Sequence, residues 1–195
     1  MSTISSVIIR LPGAPVSTHY RSMGRGWLFR CFVAPIAIAF IGGSAAHAQP
    51  ADEVARESLY VPVRDGTRLA VNVYRPTIDG KPVAERLPVV FAFTPYRARF
   101  RADDGKVVEA ALQDGLALRS LLRAGYVVAV ADIRGKGASF GHRRGFQDRT
   151  EAQDGHDLVE WLARQPYSTG KVGMIGCSYL GGSTFHTAST APPSL

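Results

Sequence analysis

An α/β architecture, with a mostly parallel sheet opened by an antiparallel hairpin, is predicted by three observations. Two continuous apolar runs, LPVVFAF at 87–93 and YVVAVA at 126–131, have the length and composition of strands buried on both faces. Segments between and after them repeat apolar residues near helical spacing. Ahead of them, two alternating runs face each other across Asp65-Gly66. Buried strands that alternate with helices pack as layers, and their connections leave few topologies other than a parallel sheet.

The elements follow in chain order. Residues 1–48 hold Arg10, Arg21, Arg25 and Arg30 and no acidic residue, and the run Cys31–Gly43 (CFVAPIAIAFIGG) is almost unbroken in apolar character. Basic residues, a short apolar core and the small residues up to Ala48 form a secretory signal, with cleavage predicted after Ala48. The run is shorter than the roughly 20 residues of a spanning helix, and Pro35, Gly42 and Gly43 weaken it further. The stretch before Met23 is long and mixed, so initiation at Met1 or at Met23 would deliver the same leader. The expected location is periplasmic or extracellular, with membrane contact only through this transient leader.

Without the leader the formal charge of +7 becomes 19 basic residues against 16 acidic, an ordinary balance with no basic stripe for nucleic acid. Cys177 is then the remaining cysteine, which excludes an intramolecular disulfide framework. No metal-ligating cluster or phosphate loop is present, and no cofactor is expected.

Residues 49–58 (QPADEVARES) read as a polar mature amino terminus, and 59–195 as a domain. Tyr60–Val63 and the alternation Leu69, Val71, Val73 form the hairpin, and Pro76–Arg86 reads as a loop. Residues 107–123 place Val108, Ala111, Leu112, Leu116, Leu118 and Leu122 near helical spacing, with Gly125 as the stop. A Gly-rich loop spans Asp132–Gly145. Thr150 and Gln153 in capping-box spacing announce a helix whose apolar side is Leu158, Val159, Trp161 and Leu162 and which stops at Gln165-Pro166. The last strand is read as Val172–Ile175.

That strand runs directly into Gly176-Cys177-Ser178-Tyr179-Leu180-Gly181. A nucleophile elbow needs this arrangement: a strained strand-to-helix turn lifts the Ser hydroxyl clear of the sheet, and bulk on either side would block the turn. The spacing is Gly-x-Ser-x-x-Gly where Gly-x-Ser-x-Gly is usual, because position 180 is Leu. Its place after the third apolar strand is where an elbow belongs.

From about Tyr60 to His186 the sequence resembles the amino-terminal part of the X-Pro dipeptidyl-peptidase and cocaine esterase-like (CocE/NonD) group of α/β-hydrolases, which includes α-amino-acid ester hydrolases. The resemblance is carried by VPVRDGTRLAVNVYRP at 61–76, TPYR at 94–97, GYVVAVADIRGKGASFG at 125–141 and DGHDLVEWLARQPYSTGKVGMIGCSYLGG at 154–182. Ser-Tyr-x-Gly is that group's own form of the elbow. The resemblance implies the α/β-hydrolase fold, no cofactor, and a small ester, amide or X-Pro peptide as substrate. It implies Ser178 as the acylated nucleophile, the Tyr179 N–H as one oxyanion donor and the Tyr96 phenolic O–H as the other. Asp132-Ile133-Arg134-Gly135 with Gly137, Ser139 and Gly141 is the group's loop after the second buried strand, read as site architecture.

In this fold the acid and the histidine follow the serine. Only 17 residues follow Ser178, without Asp or Glu and with one histidine, His186. On a helix opened by the elbow, His186 lies roughly 12 Å along the axis, beyond reach of the hydroxyl. His142 and His156 read as structural or solvated. The triad Asp and His are therefore absent from the sequence, as are the family's helical cap and jelly-roll domain. The chain is expected to be an inactive amino-terminal fragment with an open sheet edge.

Three rivals stand beside this reading. A nucleotide site would use Gly135-x-Gly137 with Asp154 and Asp157 downstream, but the third glycine is at 141 where 140 is required. A thiol enzyme would use Cys177, which the elbow is expected to turn toward the interior. A catalytically dead exported binding protein would keep the scaffold without the chemistry.

Overall fold

The computed structural model describes residues 54–112 and 118–195. The leader and its cleavage site lie outside the described residues. Strands β1 (Val54–Pro62), β2 (Arg68–Ile78), β4 (Leu87–Thr94), β7 (Val127–Asp132) and β8 (Ser168–Met174) form one sheet in the order β1-β2-β7-β4-β8. The two-residue β3 (Lys81–Pro82) pairs with β2 off this path, and β5 (Arg99–Arg101) pairs separately with β6 (Val107–Glu109). The ladders β4·β7 and β4·β8 are parallel, whereas β1·β2 and β2·β7 are antiparallel. The helices are α1 (Leu118–Arg123), α2 (Arg149–Ala163) and α3 (Tyr179–Ala188). This is the α/β-hydrolase arrangement the sequence predicts, with the antiparallel hairpin leading the parallel strands.

Every residue of β7 is buried, because it is the third strand of five with neighbours on both edges. Phe91 and Phe93 of β4 and Val128 and Val130 of β7 carry the core with Leu158, Val159 and Leu162 of α2, each side chain stabilising by about 1.5–3 kcal/mol on burial. α2 and α3 pack closely at Gly155, where a Cβ would fall 2.1 Å from Thr187 Oγ1.

The structure corrects five boundaries. Residues 54–58, assigned to the polar amino terminus, belong to β1: Val54 pairs with Pro76, and an edge strand tolerates the exposed Arg56, Glu57 and Ser58. Pro76–Arg86 is not wholly a loop, because β2 continues to Ile78 and turns through Asp79 and Gly80, both at positive φ, into β3. The helix expected over 107–123 is divided. Val107–Glu109 is β6, Ala110–Leu112 is a single 3₁₀ turn, and α1 starts at Leu118, with 113–117 outside the described residues. The β-branched Val107 and Val108 follow the turn at Asp104-Gly105 and pair with Arg101 and Phe100, so a local hairpin overrides the helical spacing. Asp148, not Thr150, caps α2, its side chain accepting from the Glu151 N–H at 3.0 Å. β8 begins at Ser168, four residues earlier than read from the apolar run alone.

β8 is the last strand in the described order. The tail turns back along it: Val172 N–H donates to Ser194 O at 2.9 Å, and the Ser194 N–H and hydroxyl donate to Glu160 on α2.

Candidate active site

The carboxyl ends of β4, β7 and β8 gather the loops that the sequence singles out, at the edge where ligands bind in open parallel sheets. After β8 the Ile175 N–H still donates to Phe91 O at 3.0 Å, and the chain then leaves the sheet through Gly176 and Cys177. Ser178 has φ 57° and ψ −122°, a backbone state that costs a non-glycine residue about 1–3 kcal/mol and persists only where packing over-determines it. The packing is visible at Gly176, where a Cβ would lie 2.4 Å from the backbone carbon of Leu180. Gly181 approaches the same backbone, its Cβ position 3.3 Å from Gly176 O. The two glycines two before and three after the serine thus let α3 fold back onto the strand end, which accommodates Leu180 at the unusual position. Ser178 is exposed, and although it caps α3 its hydroxyl makes no capping bond.

The N–H of Tyr179 opens α3, where an amide has no intrahelical acceptor and the helix dipole favours negative charge. The rest of Tyr179 is tied down. Its carbonyl accepts from Gln147 Nε2 at 2.8 Å, and its phenol donates to Glu151 Oε2 at 2.7 Å while accepting from Arg143 Nη2 at 2.7 Å. Burial, reinforced by the Glu151 carboxylate, pushes the Tyr179 phenol up to about 12. Ser183, one turn on, donates to Glu151 Oε1 at 3.0 Å. Burial also raises Glu151 above the ordinary carboxylate range, opposed by these two hydroxyls.

Tyr96 stands on the loop after β4 with 62% of its surface exposed. Its N–H donates to Thr94 Oγ1 at 3.0 Å, and its ring meets the Tyr179 ring edge-on at 6.3 Å and 74°. Both aromatic residues singled out in the sequence therefore meet beside the elbow. Asp132, at the end of β7, holds this loop to the Gly-rich one: its carboxylate accepts from the Ala98 N–H at 2.6 Å and the Ala138 N–H at 2.9 Å. Only glycine fits at 137, whose φ is +54° and whose Cβ would fall 2.1 Å from that carboxylate. Burial raises Asp132, and the two amides pull it back.

Among the described residues no histidine is hydrogen-bonded to Ser178. His156 is held by Thr190 just beyond α3, His186 is exposed in the last turn of α3, and His142 is exposed in the Gly-rich loop. Cys177 is exposed rather than turned inward. No group of three or more His, Cys, Asp or Glu able to hold a metal occurs among the described residues.

Sequence reasoning missed Glu151, Arg143 and Gln147. The signal was faint but present: Asp148 and Glu151 themselves have capping-box spacing, so an acidic residue in the first turn of α2 was due a second partner.

The profile of the X-Pro dipeptidyl-peptidase (S15) family matches residues 65–195. Cocaine esterase of Rhodococcus sp. (strain MB1 Bresler) is 37% identical over 124 residues, which cover 64% of this chain and 19% of that one. A solved CocE/NonD family hydrolase from Staphylococcus aureus superposes with a TM-score of 0.62 at 27% identity, over 74% of this chain and 27% of that one. A solved α-amino acid ester hydrolase gives a TM-score of 0.59 at 26% identity, over 84% and 27%. The chain spans about a fifth of the length of the curated relatives it matches.

Proposed function

The chain belongs to the X-Pro dipeptidyl-peptidase (S15) family, and from that premise we propose that it carries the nucleophile and oxyanion hole of a serine hydrolase acting on a small acyl ester, amide or X-Pro peptide. The observation that carries the reading is the backbone of Ser178, strained at φ 57°, exposed, and backed by Gly176 and Gly181. Ser178 Oγ attacks the carbonyl carbon and the carbonyl oxygen gains the charge. The Tyr179 N–H and the Tyr96 O–H donate to that oxygen, a contribution commonly of 10²–10³ in rate per donor. The leaving alcohol or amine departs with a proton, and water later releases the acyl group. The proton of Ser178 needs a base within about 3 Å, and none of the described histidines supplies it. The 195 residues alone are therefore proposed to be inert toward esters. The apolar run and small residues up to Ala48 support export to the periplasm or medium.

Fluorophosphonate labelling followed by peptide mapping tests the assignment on the native gene product. The expected adduct is on the peptide containing Ser178 and disappears in Ser178→Ala; labelling that survives this change overturns the proposal. The 195-residue chain by itself is expected to hydrolyse an aryl ester no faster than its Ser178→Ala variant.

A further inference from the structure

We infer that Glu151 is a positioning residue that sets both oxyanion donors through the side chain of Tyr179. The inference rests on the hydrolase reading for the roles of Tyr96 and Tyr179, while the coupling itself is a property of the fold.

Glu151 is 6% exposed, in the first turn of α2, and reaches across to α3. The proton order along its network follows from the groups present. The phenol of Tyr179 has one proton, and its oxygen already faces the Arg143 guanidinium, which can only donate. That proton must point to Glu151 Oε2, and the second carboxylate oxygen takes the Ser183 proton. The chain runs in one direction, Arg143 to Tyr179 to Glu151, with a cation at one end and a carboxylate acceptor at the other. No neutral residue reproduces this. A glutamine offers one acceptor oxygen and two protons, so either the Tyr179 proton or the Ser183 proton would meet an N–H.

Tyr179 is the point where the network meets the site. Its amide is the first oxyanion donor, its carbonyl is held by Gln147, and its phenol, at the far end of the side chain, is held by Glu151 and Arg143. Its ring is the surface on which the exposed Tyr96 ring rests. The Arg143 guanidinium lies over the Tyr179 ring at 5.2 Å and over Phe146 at 5.6 Å, and Phe146 packs edge-on to Tyr179 at 4.9 Å, so the ring is braced on its other sides as well. Rotation of Tyr179 about its side-chain bonds would therefore move the support of the second donor while loosening the residue that bears the first. One carboxylate on α2 fixes both.

The test is spectroscopic and uses the 195-residue chain. Amide and tyrosine ring signals of Tyr96 and Tyr179 are recorded in the wild type, in Glu151→Gln and in Tyr179→Phe, which keeps the ring and removes the bond. Glu151→Gln is expected to shift the ring signals of Tyr96, a residue it does not touch, and to shift the amide signal of Tyr179. Tyr179→Phe is expected to move Tyr96 in the same direction, and the double variant to move it no further, as members of one chain of bonds should. Glu160→Gln, a carboxylate farther along the same helix that holds Ser194 rather than the elbow, is the control and should leave Tyr96 in place. Unchanged Tyr96 signals in Glu151→Gln, or a shift as large in Glu160→Gln, would overturn the inference. If Glu151→Gln does not fold, Tyr179→Phe answers the same question. These signals are independent of the labelling at Ser178, so loss of the hydrolase reading and loss of the coupling are separate results.

Discussion

Helix α2 presents two buried carboxylates three residues apart, and they anchor opposite regions of the molecule by different physics. Asp154, 1% exposed, meets Arg134 in a two-bond pair at 2.9 and 2.7 Å. Arg134 continues to Asp65 at 2.8 and 3.1 Å and to Thr67 Oγ1 at 2.7 Å, so this clamp joins α2 and the loop after β7 to the turn of the β1–β2 hairpin. Glu151 meets hydroxyls instead, and its clamp joins α2 to the nucleophile elbow. The hairpin clamp is a charge pair whose separation leaves Asp154 a bare carboxylate, or leaves buried Arg134 with only Asp65 and Thr67 beside it. The elbow clamp is a directional chain of hydrogen bonds in which the groups Glu151 touches directly are neutral hydroxyls. The first should dominate stability, the second geometry.

The largest effect expected from this contrast is that of Asp154→Ala. It strands the Arg134 guanidinium, 9% exposed, with only the half-exposed Asp65 beside it. Breaking a buried pair from one side commonly costs about 3–5 kcal/mol, and urea denaturation should show a loss in that range. A loss below about 1 kcal/mol would remove the distinction between the two clamps. Glu151→Ala should cost less, about 1–3 kcal/mol, the penalty for leaving the Tyr179 and Ser183 hydroxyls without their acceptor. Denaturation of the two variants side by side ranks the clamps directly, and a larger loss in Glu151→Ala reverses the ranking.

The same contrast explains what could be read from the sequence. The apolar run at 126–131 is β7 because a strand buried on both faces leaves a local compositional mark. Ser178 and its glycines were legible because the elbow is built within six residues. Where two local signals compete, spacing alone misleads: Val107 and Val108 fit a helical repeat, yet the turn at Asp104-Gly105 pairs them with β5. The clamps left no such mark. Tyr179 lies 28 residues from Glu151, and Asp65 lies 69 from Arg134; polar side chains matched across such distances have no period in the sequence. Arg134 and Asp132 were singled out only as loop architecture, and their partners became visible once the hairpin, α2 and the Tyr96 loop met in space.

The smallest effect sharpens the hairpin clamp at its solvent end. Asp65 is 46% exposed, and the Arg134 guanidinium, then the Thr67 N–H, hold its carboxyl below the ordinary carboxylate range. A group lowered on folding contributes stability above its unfolded pKa of about 4 and loses that contribution as pH falls toward its folded value. The buried carboxylates Glu151, Asp132 and Asp154 are raised, so their stability contribution falls as pH rises through the window above about 4. The acid limb below about pH 4 therefore belongs, among the described residues, to Asp65 and the other lowered acids, Asp104, Glu109 and Asp157. Asp65→Asn should cost about 0–1 kcal/mol near neutrality, as for an exposed pair. The gap between wild type and variant should narrow as pH falls below about 4, because the wild type loses its charge there and the variant has none to lose. Urea midpoints at about pH 7, 5 and 3 would show it. A gap that widens toward acid would mean that the folded protein holds the Asp65 proton more tightly than the unfolded chain does, which would overturn its role as the counter-charge of Arg134.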